Sequence, residues 1–342
     1  MSCRRILSLG TAFSIVLVAA GGLPALAEEL PGEGVVVKPV FQALLEERFQ
    51  EYIVLIGLER LGYEIEEPLI VSIPAAHLSV AQGDRTLYVT HWNPLHRQFL
   101  EGAGAEQIWQ AGVDSGTYTV TGAMQGYLID KKTADDYGIT NLEQFKDPEI
   151  ASLFDINNDG RADLTGCKPG WGCEAMVDHH LSAYELEDVI EHHKGDYFIQ
   201  MADTIARYRQ GEPIFYYTWT PLWLSGELVP GEDVEWLEVP FTSLPDQDGE
   251  VDTLLPDGRN LGFEVNEINI VANREFVESN PAAKRFMELV QIPINDISAE
   301  NLLIQQGEDS LEEIRAHAEQ WIEANAETFD GWLAEARAAA AE

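Results

Sequence analysis

The chain has 342 residues, of which 45% are hydrophobic and 9% aromatic, enough for two packed domains and too many for a disordered protein. Its 59 acidic and 21 basic residues give a formal net charge of -38. This charge argues against nucleic acid or anionic membrane surfaces as partners, and we interpret it as a solvated surface that favours solubility.

The first 27 residues have the organisation of a secretory signal peptide. Arg4 and Arg5 precede an apolar run, and "ALA", ending at Ala27, supplies a small-x-small cleavage site. A membrane anchor is the alternative, but glycines interrupt the run, and no later segment is apolar for the ~20 residues that a membrane span needs. We therefore predict cleavage after Ala27 and an exported, soluble protein.

Short strands and helices alternate along the rest of the chain. Strands are predicted at "GVVVKPV", "LIVSI", "TLYVTHW", "GAMQGYLID", "PIFYYTW" and "FEVNEINIVANR". Helices are predicted at "FQALLEERFQEYIVLIGLERLGY", "PAAHLSVAQGD", "KKTADDYG", "YELEDVIEHH" and "YFIQMADTIARYRQG", and through the C-terminal part, where Asn280 and "SLEE" supply caps. This order is typical of an α/β fold with two lobes. We place lobe 1 at residues 28–121 and 262–342 and lobe 2 at residues 122–261, with "GAMQGYLID" and "FEVNEINIVANR" as the two crossover segments.

Two cysteines lie close together in "GCKPGWGCE" and would be the only ones left after cleavage. With five residues between them, Cys167 and Cys173 can close a disulfide ring in an oxidising compartment, worth about 2 kcal/mol and able to stiffen the turn that carries Trp171. A metal site is the weaker alternative, because two cysteines without a nearby histidine fall short of four ligands.

Three tryptophans share an unusual context. Trp92 in "THWNPLH" and Trp219 in "YYTWTPLW" each end a predicted strand before a proline, and Trp171 lies in the cysteine turn. Core packing is the alternative, but the pattern W-[NT]-P-L recurs on both presumed lobes, and strand ends are where open α/β sheets bind ligands. Three indole faces could surround a quaternary ammonium group by cation–π attraction.

A carboxylate on the same ligand could be held by two kinds of donor. His96 lies four residues after Trp92, and the main-chain N–H groups of Gly172 and Cys173 follow each other in the cysteine turn. Successive N–H groups in a tight turn form a concavity that binds anions.

The segment "DINNDGRAD" resembles the first half of a calcium loop, with Asp155, Asn157, Asp159 and Asp163 at the spacing of ligands. Gly166 stands where a bidentate glutamate belongs, so an Asx-rich turn is the preferred interpretation. The paired histidines His179–His180 and His192–His193 are interpreted as solvated helix faces. The chain has no G-x-S-x-G, phosphate-loop or H-E-x-x-H motif, and we expect neither enzymatic activity nor a cofactor.

The mature chain resembles the glycine betaine/proline betaine-binding proteins of bacterial osmoprotectant ABC transporters. The resemblance rests on long irregular strings such as "WNPLH", "QGYLIDKKTAD", "LFDINNDGRADLTGCKPGWGCE", "MADTIARY", "FYYTWTPLW" and "NPAAKRF". It implies a periplasmic, type II-like solute-binding protein with two lobes, two crossover segments and the ligand in the interlobe cleft. It also implies glycine betaine or proline betaine as ligand, and delivery to the permease and ATPase subunits of an importer by a protein that we expect to be a monomer.

By motif, the resemblance assigns Trp92, Trp171 and Trp219 to a cage around the trimethylammonium group. It assigns the carboxylate to His96, Gly172 and Cys173, and pairs Cys167 with Cys173 in a disulfide. Asn93 stands where threonine is usual in the family, at the edge of the predicted site. Two alternatives remain: a secreted carbohydrate-binding protein or hydrolase with a tryptophan-lined subsite, which would need paired carboxylates, and a structural calcium-binding exoprotein.

Overall fold

The computed structural model describes residue 1, residues 30–245 and residues 251–341. Apart from Met1, the predicted signal peptide lies outside the described residues. Within the described part of the chain, no helix combines the length and apolarity required to cross a membrane.

The described strands are β1 (Val36–Val37), β2 (Val40–Phe41), β3 (Glu64–Ile65), β4 (Leu69–Ile70), β5 (Leu87–Asn93), β6 (Ile108–Gln110), β7 (Val120–Ala123), β8 (Gln125–Asp130), β9 (Ala162–Thr165), β10 (Ile190–His193), β11 (Phe215–Trp219), β12 (Val234–Leu237) and β13 (Asn266–Asn273). The described helices are α1 (Arg48–Arg60), α2 (Ile73–Ala81), α3 (Arg97–Ala103), α4 (Lys131–Tyr137), α5 (Pro148–Ala151), α6 (Gly172–Ala183), α7 (Tyr197–Arg209), α8 (Leu224–Glu227), α9 (Arg274–Ser279), α10 (Pro281–Leu289), α11 (Ile294–Gln305), α12 (Leu311–Ala324) and α13 (Ala326–Ala339).

One sheet forms the core of the first lobe. Its order is β5-β13-β6, with β7 also paired to β13, and these pairings are antiparallel. Of the C-terminal helices, α10 and α12 pack against α1, and α13 packs against both of them. Most of α1 is buried because helices and sheet cover it from several sides, which explains its almost continuous apolar sequence.

A five-stranded sheet, in the order β10-β9-β11-β8-β12, forms the core of the second lobe. β9, β10 and β11 run parallel, whereas β8 pairs antiparallel with β11 and β12. Every residue of β8 and β11 is buried. Strands covered on both faces read as nearly continuous apolar runs, as "GYLI" and "IFYY" do.

The chain changes from one sheet to the other twice. β7 belongs to the first sheet and β8 to the second, with only Met124 between them. The second change lies between Phe263 and β13. The ring of Phe263 packs against Tyr127 and Tyr217 of the second lobe, and β13 belongs to the first sheet. The two-lobed α/β fold is thereby confirmed. The predicted lobe limits, after residues 121 and 261, lie within a few residues of these changes of sheet and stay predictions.

One predicted helix is wrong throughout and another is wrong in part. No residue of "YELEDVIEHH" is helical: residues 184–189 form turns, and Ile190–His193 is strand β10, which pairs in parallel with Ala162–Thr165 of β9. This long-range pairing overrides local helix propensity. The first long helix begins at Arg48 rather than at Phe41, because Val40 and Phe41 pair with β4.

The two predicted helix caps differ in outcome. The capping box predicted at "SLEE", before α12, is confirmed. The Glu313 N–H donates to Ser310 Oγ and the Ser310 N–H donates to Glu313 Oε2, both at 3.2 Å. Asn280 precedes α10 but donates its side-chain amide to the Phe276 carbonyl at 2.8 Å, so its side chain does not cap the helix.

Candidate functional site

A pocket with about 370 Å³ of empty space, part of it open to solvent, lies between the lobes. All six residues that the sequence assigns to ligand binding line it. The lining residues are Gln42, Leu44, Glu47, Ile73, Trp92, Leu95, His96, Gln125, Trp171, Gly172, Cys173, Tyr217 and Trp219.

Two of the three tryptophans reach the pocket from strand ends on different lobes. Trp92 is the penultimate residue of β5, and Trp219 is the last residue of β11. They are only 8% and 7% exposed, so their rings lie in the closed interior between the lobes. The proline that follows shortly after each of them cannot continue a strand ladder, which ends the strand at the pocket.

Trp171 and Trp219 form one edge-to-face aromatic pair. Their ring centroids are 5.3 Å apart with an interplanar angle of 86°. Tyr197 supports both rings, with centroids 4.7 Å from Trp219 and 5.9 Å from Trp171. The Tyr197 hydroxyl donates to the Tyr217 carbonyl and hydrogen-bonds the Thr218 hydroxyl, each at 3.0 Å, so this support is itself anchored to β11. The two indoles are therefore positioned by packing before any ligand binds.

The cysteine turn presents main-chain donors to the pocket. Cys167 and Cys173 form a disulfide, which confirms that prediction. Trp171 is the N-cap residue of α6, and the N–H groups of Gly172 and Cys173 are in its first turn, where no intrahelical acceptor exists. The positive end of the helix dipole adds to these donors, so this end of the pocket favours an anion.

His192 holds the other side of the same turn. Its Nε2 accepts the Cys167 N–H at 3.0 Å, and its Nδ1 is 2.8 Å from Asp178 Oδ1. The interpretation of the paired histidines as solvated helix faces is wrong for three of the four. His192 and His193 lie on β10, and His180 is fully buried and bonds the Tyr127 hydroxyl at 2.8 Å.

His96 is a neutral donor at the pocket wall. It is 2% exposed, and burial together with the neighbouring His91 and His77 holds its pKa well below the usual value. Its Nδ1 accepts the Trp92 main-chain N–H at 3.2 Å, so the single proton of the neutral ring is on Nε2. No residue of the described chain hydrogen-bonds this Nε2, which is therefore available to a ligand acceptor.

The lobes meet where Gly172 faces Leu95. A Cβ at position 172 would lie 2.8 Å from Leu95 Cγ and 3.0 Å from the Leu95 carbonyl oxygen, which is closer than such contacts allow. Packing across the cleft requires this glycine. Its backbone angles do not, because its φ is not positive. The sequence offers no signal for this contact.

Four polar residues of the pocket were not predicted. The Tyr217 hydroxyl donates to Gln125 Oε1 at 2.5 Å, and both could have been inferred, because Tyr217 alternates with Trp219 on one strand and Gln125 lies in a crossover segment. No sequence pattern predicts Gln42 and Glu47 as pocket residues, because "QALLEERF" is typical of an ordinary helix. Glu47 is the single carboxylate among the described lining residues.

The predicted calcium residues use their oxygens in hydrogen bonds within their own loop. Asp155 accepts the N–H groups of Asp159 and Gly160, and Asn157 Oδ1 also accepts the Asp159 N–H, in the manner of Asx turns. Asp163, on β9, accepts the side-chain amide of Asn157 at 3.1 Å and also bonds His193. Two groups of described residues are close enough to share an ion, His77–His91–His96 and Asp163–Glu191–His193, and neither includes Asp155, Asn157 or Asp159.

The pocket thus has two chemically different ends. Aromatic faces from both lobes suit a methylated cation, which attracts π-systems without needing hydrogen-bond acceptors. His96 Nε2–H and the first turn of α6 suit a carboxylate. With one carboxylate in its wall, the pocket lacks the pair that glycoside hydrolysis needs.

The chain is similar to curated periplasmic proteins over nearly its whole length. It is 48% identical to the glycine betaine/proline betaine-binding periplasmic protein of Escherichia coli (strain K12) and 48% identical to the glycine betaine-binding periplasmic protein OusX of Dickeya dadantii. The corresponding protein of Salmonella typhimurium is 44% identical. Each comparison covers 98% of this chain and 99% of the relative.

Solved structures share the fold. Lactococcal OpuAC, in a closed conformation complexed with glycine betaine, has a TM-score of 0.65 and 20% identity, covering 87% of this chain and 99% of that one. An ABC-transporter choline-binding protein in complex with choline has a TM-score of 0.67 and 14% identity, covering 89% and 96%.

A family model is decisive for classification. The model described as the substrate-binding domain of ABC-type glycine betaine transport systems, OpuAC, matches residues 36–324. The prediction of a solute receptor rather than an enzyme is confirmed, and the carbohydrate-active alternative is set aside. The chain belongs to the family of substrate-binding domains of ABC-type glycine betaine transport systems.

Proposed function

We propose that the chain is an extracytoplasmic receptor that captures glycine betaine and proline betaine and delivers them to an ABC importer for osmoprotection. The observation that carries this proposal is the convergence of Trp92, Trp171 and Trp219 on one interlobe pocket, beside donors suited to a carboxylate. The curated relatives at 44–48% identity carry glycine betaine in their names, which supports the same ligand class.

The three indoles would hold the trimethylammonium group. Each desolvated cation–π contact contributes up to about 2 kcal/mol, so three give on the order of 6 kcal/mol. Micromolar binding needs about 8 kcal/mol. The difference has to come from the other end of the ligand.

The ligand carboxylate would be held by His96 Nε2–H and by the N–H groups of Gly172 and Cys173. Charge-assisted hydrogen bonds are stronger than neutral ones, and hydrogen bonds to charged groups contribute about 1.5–3 kcal/mol each. The disulfide between Cys167 and Cys173 would fix the donors before binding and so lower the cost of ordering them.

Residues 1–27 would direct export and be removed after Ala27, leaving the mature receptor in the periplasm. Its partners there would be the permease and ATPase subunits of an importer. Closure of the lobes around the ligand, which buries Trp92 and Trp219, would produce the form that the permease recognises.

Titration of the mature protein, prepared without reductant, tests the proposal. Intrinsic tryptophan fluorescence and calorimetry would be followed with glycine betaine, proline betaine, choline and proline. We expect micromolar or tighter binding of both betaines, weaker binding of choline because it lacks a carboxylate, and weakest binding of proline because it lacks a methylated ammonium. Absence of saturable betaine binding, or equal affinity for proline, would contradict the proposal.

A further inference from the structure

Glu47 is a buried carboxylate in the pocket wall to which the proposed function gives no role. It is the last residue of a short 3-10 helix, Leu45–Glu47, and the N-cap residue of α1, and it is 4% exposed. The Thr90 hydroxyl donates to Glu47 Oε2 at 2.7 Å, and the indole Nε1–H of Trp92 donates to Glu47 Oε1 at 3.4 Å. Thr90 and Trp92 alternate on β5, so the period of two places both donors on the face of the strand that meets Glu47.

No cation of the described chain is committed to this carboxylate. No Lys or Arg nitrogen of the described residues lies within 4.0 Å of Glu47. The adjacent Arg48 is engaged elsewhere, since its guanidinium bonds the Glu51 carboxylate and the Gln42 carbonyl. The other titratable neighbours, Glu51 and Tyr88, bring no positive charge. A buried carboxylate without a direct ion pair is costly, and a cation entering the pocket would relieve that cost.

Glu47 and His96 accept hydrogen bonds from different groups of Trp92. Glu47 meets the indole nitrogen, whereas His96 meets the main-chain N–H. The negative group therefore lies on the indole side, and the neutral donor lies on the side proposed for the ligand carboxylate. A carboxylate that accepts the indole N–H also polarises the ring and makes its face more attractive to a cation.

We propose that Glu47 is a specificity-determining residue, whose carboxylate orients the indole of Trp92 and makes the pocket select ligands with a permanent positive charge. This inference rests on the proposed function, because it concerns the betaine site. Burial raises the pKa of Glu47 to about 7, against the smaller lowering effects of Thr90, Gln42, Arg48 and Trp92. A bound cation favours the ionised form, so ligand binding near neutral pH releases part of a proton.

The test compares two ligands of the same shape and different charge. Glycine betaine carries a trimethylammonium group, and 3,3-dimethylbutanoate carries an uncharged tert-butyl group in its place. We expect Glu47→Gln to weaken glycine betaine binding at least tenfold and to lower the preference for glycine betaine over 3,3-dimethylbutanoate by the same factor. Glu33→Gln, the same charge change at an exposed position, should leave both dissociation constants unchanged.

A second readout separates a charge effect from a packing effect. Calorimetry at pH 6.5–7 in buffers of different ionisation enthalpy should show proton release on glycine betaine binding by the wild type and none by Glu47→Gln. If Glu47→Gln does not fold, Thr90→Val keeps the carboxylate but removes its hydroxyl donor, and should move the pH at which affinity declines upward.

The outcomes distinguish the two proposals. Wild-type protein that binds no betaine refutes the proposed function. Wild-type protein that binds betaine, with Glu47→Gln within threefold of it, refutes only the role of Glu47. Equal loss for the charged and the uncharged ligand, or identical proton release in both proteins, shows a merely structural residue and overturns the inference.

Discussion

Replacing Trp171 by alanine should weaken glycine betaine binding by at least tenfold. The indole is partly buried, so its removal does not empty a core site, and the main loss is its contact with the ligand cation. One desolvated cation–π contact is worth up to about 2 kcal/mol, which corresponds to roughly 30-fold in the dissociation constant. Trp171 also packs edge-to-face on Trp219 at 5.3 Å, so its loss frees a second wall of the cage and adds to the effect.

Calorimetry of the folded variant is the assay, with circular dichroism as the check on folding. Trp332→Ala is a matched control, because Trp332 is a half-buried indole on α13 that packs against Phe329 and does not line the pocket. The control should lower the melting temperature and leave the dissociation constant unchanged. A Trp171→Ala variant that binds glycine betaine within threefold of the wild type would refute the aromatic cage.

Gly172→Ala should weaken betaine binding at least tenfold without destabilising the ligand-free protein, because its methyl group would meet Leu95 only when the lobes close. Scattering curves that show normal ligand-induced compaction of this variant would contradict the expectation. Burial lowers the pKa of His77 from 6.5 to about 4. Between these two pH values the unfolded chain binds a proton at His77 and the folded protein does not, so the free energy of unfolding decreases as the pH falls from 6.5 to 4. His77→Gln should therefore show a shallower decline of unfolding free energy over that range, and equal slopes for the two proteins in urea titrations would refute the assignment.

Local sequence patterns predicted much of the fold. β5, β8, β11 and β13 lie where apolar runs of strand length predict them, and the capping box before α12 forms as written. Failures occurred where a distant partner decided the conformation. Residues 190–193 have helical composition but pair with β9, and that pairing depends on residues almost thirty positions away.

Local sequence patterns were enough to predict which residues line the pocket. Two W-x-P-L strings at strand ends, and a tryptophan between two cysteines, are irregular enough to identify the residues that line the pocket. These strings carry their own local geometry, because proline ends a strand and a short disulfide loop confines its turn.

The surroundings of those residues depend on contacts between distant segments, which no local pattern predicts. Glu47 looks like one more acid in a charged helix until β5 brings Thr90 and Trp92 against it. Gly172 looks like an ordinary turn glycine until Leu95 of the other lobe lies against it. Both depend on contacts between segments far apart in the chain, and neither burial nor the lack of a direct ion pair leaves a local pattern in the sequence.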